Sequence, residues 1–162
     1  MSETFKVKMG EIKVTSPPNK FTIPGLGSCV ALIIYDRVNK VCGMAHIMLP
    51  DSSRISIDIN PLKFADKAVP KLIDMIIESG GKKENLAAKL TGGSKMFTYG
   101  STESDILLIG DRNIVAVKDN LKKYNIETEA EDLGGSKGRT ITYDSLTEEL
   151  HIKYSGGERK II

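Results

Sequence analysis

Two residue types in this sequence could together carry nucleophilic chemistry: the cysteine that ends Gly25-Leu26-Gly27-Ser28-Cys29 and the histidine within Gly43-Met44-Ala45-His46-Ile47. A thiol is mostly protonated at neutral pH, and a neighbouring imidazole activates it by taking the proton and holding the thiolate as an ion pair. Gly25, Gly27 and Ser28 are small, so they leave the approach to the sulfur open and let main-chain N–H groups reach an oxyanion. The amides of Ser28 and Cys29 are the candidate donors, and the set suits thiol acyl transfer. On spacing alone the structural role is the commoner one, because a buried Cys is usually a small core hydrophobe and a lone His in an apolar run is usually a satisfied core residue. The same holds for Cys42 and His151, which are read as structural or surface residues.

The elements that must position the pair are legible around them. Cys29 stands where a Gly-rich turn enters the β-branched run Val30-Ala31-Leu32-Ile33-Ile34-Tyr35, a buried strand. The polar stretch Asp36 to Lys40 turns the chain into a second apolar run from Val41 to Leu49, closed by Pro50, and the two strands pair as a hairpin. Setting Asp36 opposite Lys40 places Cys29 opposite Ile47, one residue from His46. A slip of one residue places Cys29 opposite His46, with Cβ atoms roughly 4.5–5.5 Å apart, although such a slip also exchanges the faces of the strand.

Before the turn, the alternating segments 5–9 and 11–14 read as peripheral edge strands. After the hairpin, Asn60-Pro61 signals a helix start, and Ala65, Ala68, Val69, Leu72, Ile73 and Ile76 keep helical spacing to Gly80-Gly81, with Pro70 expected to kink or split the helix. Leu86 to Leu90 leads into Gly92-Gly93. Ile106-Leu107-Leu108-Ile109 reads as a further apolar run before Gly110-Asp111-Arg112-Asn113 opens a helix to about Lys123. The alternation from Ile126 to Leu133, then Thr140 to Tyr143 and Leu150 to Tyr154, reads as a β-meander. The sum is α+β, with helices segregated from antiparallel sheet.

Composition narrows the function classes. At 162 residues, 40% hydrophobic and 27% charged, the chain fits one ordinary globular domain. Aromatics at 6% with no Trp argue against a base-stacking platform, and a net charge of +2 spread along the chain provides no stripe for nucleic acid or an anionic membrane. No signal-peptide-like start and no membrane span are visible, so a cytoplasmic location with both cysteines as free thiols is expected. The glycine motif lacks the third glycine of a dinucleotide fingerprint, and two Cys with two His lack zinc-site spacing, so no cofactor or metal is expected.

The segments from Gly25 to Ala31 and from Gly43 to Ser52 together resemble the CheD family of chemoreceptor glutamine deamidases. The likeness continues through Lys63-Phe64-Ala65-Asp66, Gly92-Gly93-Ser94-Lys95-Met96-Phe97, Ile109-Gly110-Asp111-Arg112-Asn113, Ala130-Glu131-Asp132-Leu133-Gly134-Gly135 and Gly138-Arg139, and so spans nearly the whole chain. The resemblance implies a single domain over 1–162: a three-layer α/β/β sandwich of mostly antiparallel sheets with helices on one side, similar to the catalytic domain of deamidating toxins. It also implies a Cys-His-Thr triad hydrolysing receptor glutamines to glutamate. Cys29 and His46 carry over directly, with Gly27 and Ser28 in the oxyanion turn. The threonine expected five or six positions before the cysteine is Pro24 or Ile23 here; the nearest candidate, Thr22, could serve only with a re-registered turn. Implied partners are the cytoplasmic domain of methyl-accepting chemotaxis receptors and a CheC-type phosphatase, with no nucleic acid and no membrane insertion. The alternative is a non-enzymatic adaptor that binds the same two partners.

Overall fold

The computed structural model describes residues 2–53, 60–95 and 105–162; Met96 and Phe97 of the resembling segments lie outside these. The elements run β1 (Thr4–Lys6), β2 (Ile12–Thr15), β3 (Lys20–Leu26), β4 (Val30–Asp36), β5 (Val41–Ile47), α1 (Ala65–Glu78), β6 (Leu86–Gly92), α2 (Asp105–Lys123), β7 (Glu127–Leu133), β8 (Arg139–Asp144), β9 (Glu149–Tyr154) and β10 (Arg159–Ile161). They form two five-stranded sheets, ordered β1-β3-β8-β9-β10 and β2-β5-β4-β6-β7. The second sheet is the middle layer. Val30, Leu32 and Ile34 on one face pack with Leu72, Ile76, Val117 and Leu121 of the helices. Ala31, Ile33 and Tyr35 on the other face pack with Phe21, Ile141 and Tyr143 of the first sheet. This is the α/β/β sandwich. Being covered on both sides, β4 and β5 are buried at every position, so both read as continuous apolar runs rather than alternating ones.

Three expectations change. Asn60 does cap a turn, its Oδ1 accepting from Leu62 N at 3.0 Å, but the first turn is the 3₁₀ segment Pro61–Lys63; α1 starts at Ala65 and runs unbroken through Pro70. Residues 106–109 are not a strand, because α2 already begins at Asp105 and carries Gly110 inside it. That glycine is a packing residue, not a helix opener: a Cβ there would lie 2.6 Å from Gly93 O and 2.8 Å from Ser94 O. Finally, β7 leaves the meander. It pairs in parallel with β6 across the helical crossover α2, as a βαβ unit requires, and the chain passes to the other sheet at Gly134-Gly135 with φ of 81° and 75°. Only β8, β9 and β10 form the antiparallel meander.

Candidate active site

The register of the β4–β5 hairpin decides which side chains share a face. Asp36 is 1% exposed and closes the turn with its own carboxylate: Oδ1 accepts from Val38 N at 2.9 Å and Asn39 N at 2.8 Å, and Oδ2 from Asn39 Nδ2 at 2.8 Å. The loop is thereby one residue longer than expected. Lys40 takes a left-handed φ of 57°, and Asp36 pairs with Val41 rather than Lys40. Cys29 is therefore aligned with Met48, just past the last pair Val30↔Ile47, and His46 is paired with Ala31. Neither sequence-derived register holds. The observed one puts Cys29, Ala31 and His46 on the same face, toward the first sheet, with Cys29 and His46 diagonal to each other. Diagonal neighbours are roughly 7–8 Å apart at Cα, within reach of a long or aromatic side chain.

The Cys29 turn is held by its carbonyls. Gly27 O accepts from Ser94 N at 3.0 Å, Cys29 O from Gly93 N at 2.8 Å, and Ser28 O from Asn113 Nδ2 at 3.0 Å. Gly92 permits this closeness, since a Cβ there would stand 2.2 Å from Cys29 O and φ is 111°. The N–H groups of Ser28 and Cys29 have no main-chain acceptor among the described residues. The three successive carbonyls are thus tied to two supports, the main chain at 93–94 and the Asn113 side chain of α2.

His46 is 7% exposed, and its Nδ1 lies 2.9 Å from Val7 O. A carbonyl only accepts, so Nδ1 carries the proton and Nε2 keeps its lone pair, the tautomer a general base requires. Val7 lies on the crossing from β1 in one sheet to β2 in the other, where its N–H donates to Thr22 O at 3.0 Å. The segment read as peripheral thus supplies the imidazole's partner. Burial lowers the His46 pKa below 6.5, against the hydrogen bond to Val7, and burial pushes the Cys29 thiol up to about 11. Burial thus disfavours both the thiolate and the imidazolium, and among the described residues no hydrogen bond joins the two side chains.

Thr22 is not brought to this pair. Its neighbours Phe21 and Ile23 face the core, so its own side chain lies on the outer face of the first sheet, where Oγ1 donates to Ile141 O at 2.8 Å beside Thr142. Ile23 faces the layer that holds His46, with no group to hydrogen-bond. Cys42 stands near the turn end of β5, its Sγ 3.7 Å from Thr15 O, and exposed His151 lies 3.1 Å from Glu149 Oε1. Sequence reasoning missed Val7, whose contribution is a main-chain carbonyl, and Asn113, which is fully buried and donates from Nδ2 to both Ser28 O and Met48 O at 3.0 Å.

Comparison with known proteins shows the family. The family model for CheD chemotactic sensory transduction matches residues 48–154. The chain is 45% identical over 151 residues, 93% of each chain, to the probable chemoreceptor glutamine deamidase CheD of Clostridium botulinum strain Eklund 17B, and 43% identical over the same length to that of strain Hall. The chain belongs to the CheD family. The family-model match begins after His46, but the alignments to the relatives leave too few residues outside to omit either Cys29 or His46. A crystal structure of a Neisseria meningitidis protein of the DUF152 family is similar at 12% identity and a TM-score of 0.45, over 78% of this chain and 52% of that one. Among the described residues no helix is long and apolar enough to cross a membrane.

Proposed function

We propose that the chain is a single-domain cytoplasmic enzyme that hydrolyses the side-chain amide of glutamines in methyl-accepting chemoreceptors to glutamate, with Cys29 as nucleophile and His46 as its base. The observation that carries this reading is the shared face of Cys29 and His46, with Val7 O leaving His46 Nε2 free to take a proton. Membership of a family whose relatives are named chemoreceptor glutamine deamidases supplies the substrate class.

In the first half-reaction the imidazole takes the thiol proton as sulfur adds to the amide carbon, and the carbonyl oxygen becomes an oxyanion held by the Ser28 and Cys29 amides. The C–N bond then breaks, His46 returns its proton to the departing nitrogen, and ammonia leaves a thioester. Water attacks next, giving one proton to His46; the C–S bond breaks, His46 returns that proton to the sulfur to restore the thiol, and the new carboxylic acid loses its proton to solvent as glutamate. Burial disfavours both the thiolate and the imidazolium, so neither charge is favoured before the substrate enters. Receptors are the proposed substrate and a CheC-type phosphatase a proposed partner.

Incubation with a receptor cytoplasmic fragment tests the reading by peptide mass spectrometry. Glutamine-to-glutamate conversion is expected with the wild type and not with Cys29→Ala. Identical peptides from the two would overturn the enzyme and leave an adaptor.

A further inference from the structure

The carbonyls that Asn113 holds belong to opposite sides of the dyad. Ser28 precedes Cys29, and Met48 is the residue that the hairpin register aligns with Cys29, two positions beyond His46. The β4–β5 ladder ends at Val30↔Ile47, and across the next step the bridge is a side chain: Asn113 Nδ2 lies 3.0 Å from Ser28 O and 3.0 Å from Met48 O. Both amide protons are used, and both acceptors are carbonyl oxygens, so the nitrogen must face them and the amide has one orientation. Oδ1 is left buried with no partner among the described residues. A buried carbonyl oxygen without a donor carries a desolvation cost that an apolar side chain of the same volume would not incur. That cost is set against the two carbonyls that the same side chain satisfies. The helix that carries it is seated against the same turn, through the approach of Gly110 to Gly93 O and Ser94 O.

We propose that Asn113 is a positioning residue of the dyad: by tying Ser28 O to Met48 O it fixes the gap between the Cys29 turn and the strand that bears His46. The proposal rests on the reading of Cys29 and His46 as nucleophile and base. Two variants test it. Asn113→Leu removes both donors at similar volume, and Asn113→Asp keeps the shape while placing acceptors against the two carbonyls.

For either folded variant kcat on a receptor fragment is expected to fall about 100-fold with KM within about twofold, the size of effect that a misplacement of about 1 Å produces. Alkylation of Cys29, followed by peptide mapping across pH, is expected to lose the acid limb set by His46. Wild-type kcat and an intact limb in either variant overturn the proposal, as does a change confined to melting temperature. Failure of both variants to fold also overturns it, since Asn113 would then be a core residue. Cys29→Ala is assayed alongside: if it deamidates like the wild type, the dyad itself fails, independently of Asn113.

Discussion

The two ends of the β4–β5 hairpin each hold a buried cysteine and have opposite characters. At the turn end, Cys42 is paired with Tyr35, its Sγ lies 3.7 Å from Thr15 O, and Asp36 accepts from the turn and from Lys82 N at 2.8 Å. At the open end, Cys29 stands beyond the last ladder pair, beside amides that have no main-chain acceptor among the described residues, with His46 on its face. Acidity does not separate them, since burial pushes Cys29 up to about 11 and Cys42 up to about 12. What separates them is where the ladder stops. Inside a sheet a main-chain N–H is committed to its neighbour, whereas past the end it can be offered to a substrate oxygen.

The largest expected effect breaks the comparison by making the two cysteines alike. His46→Asn should lower kcat for deamidation by roughly 100- to 10,000-fold, the usual worth of a positioned base, and should abolish preferential alkylation of Cys29 over Cys42. On the proposed mechanism the base is the neutral imidazole, so activity and Cys29 alkylation should be full above the His46 pKa and fall as pH drops through it. Burial puts that limb below pH 6.5. A rate that holds steady to well above pH 7 and falls only on the alkaline side would remove His46 from the role.

The next effect belongs to the turn end. Asp36→Ala removes the acceptor of Val38 N, Asn39 N and Lys82 N, and these groups are partly open to water, so the cost should be about 2 kcal/mol. For a chain of this size that is a fall in Tm of about 4–8 °C, readable by calorimetry. At temperatures where the variant stays folded, kcat should remain within about threefold of wild type, because the register at the open end is held separately by Asn113 and by the 92–94 turn. A catalytic loss as large as that of His46→Asn would show that the turn sets the site directly.

The comparison also shows which parts of the molecule a sequence can disclose. Cys29 and His46 are side chains in family-like segments and were legible; so were the helix period of α1 and the buried runs of β4 and β5. Their shared face was not, because it depends on a one-residue difference in loop length set by how Asp36 folds its own carboxylate over the turn. Val7 was invisible for a different reason: any residue offers a carbonyl, so the partner of His46 leaves no mark in the sequence. Gly110 looked like a break between a strand and a helix, and only the 2.6 Å approach to Gly93 O shows that it lies inside one helix. The parallel place of β7 followed from the crossover by α2, which the misread run at 106–109 concealed.

The smallest effect on catalysis concerns Thr22, the nearest candidate for the triad threonine that the family pattern expects at position 23 or 24. Thr22 donates to Ile141 O across the outer face of the first sheet, while the imidazole that a third member would orient is already fixed by Val7 O. Thr22→Val keeps the shape and removes two partly exposed hydrogen bonds, to Ile141 O and with Thr142 Oγ1, worth about 1 kcal/mol each. Its kcat and its acid limb should both match the wild type, with the loss confined to Tm. A fall of tenfold or more would mean that Thr22 reaches the dyad through the pairing of its strand with Val7, whose N–H donates to Thr22 O at 3.0 Å and whose carbonyl accepts from His46. In that case the orienting unit would be the β1–β3 pairing itself, and disrupting it at Val7 should reproduce the same loss.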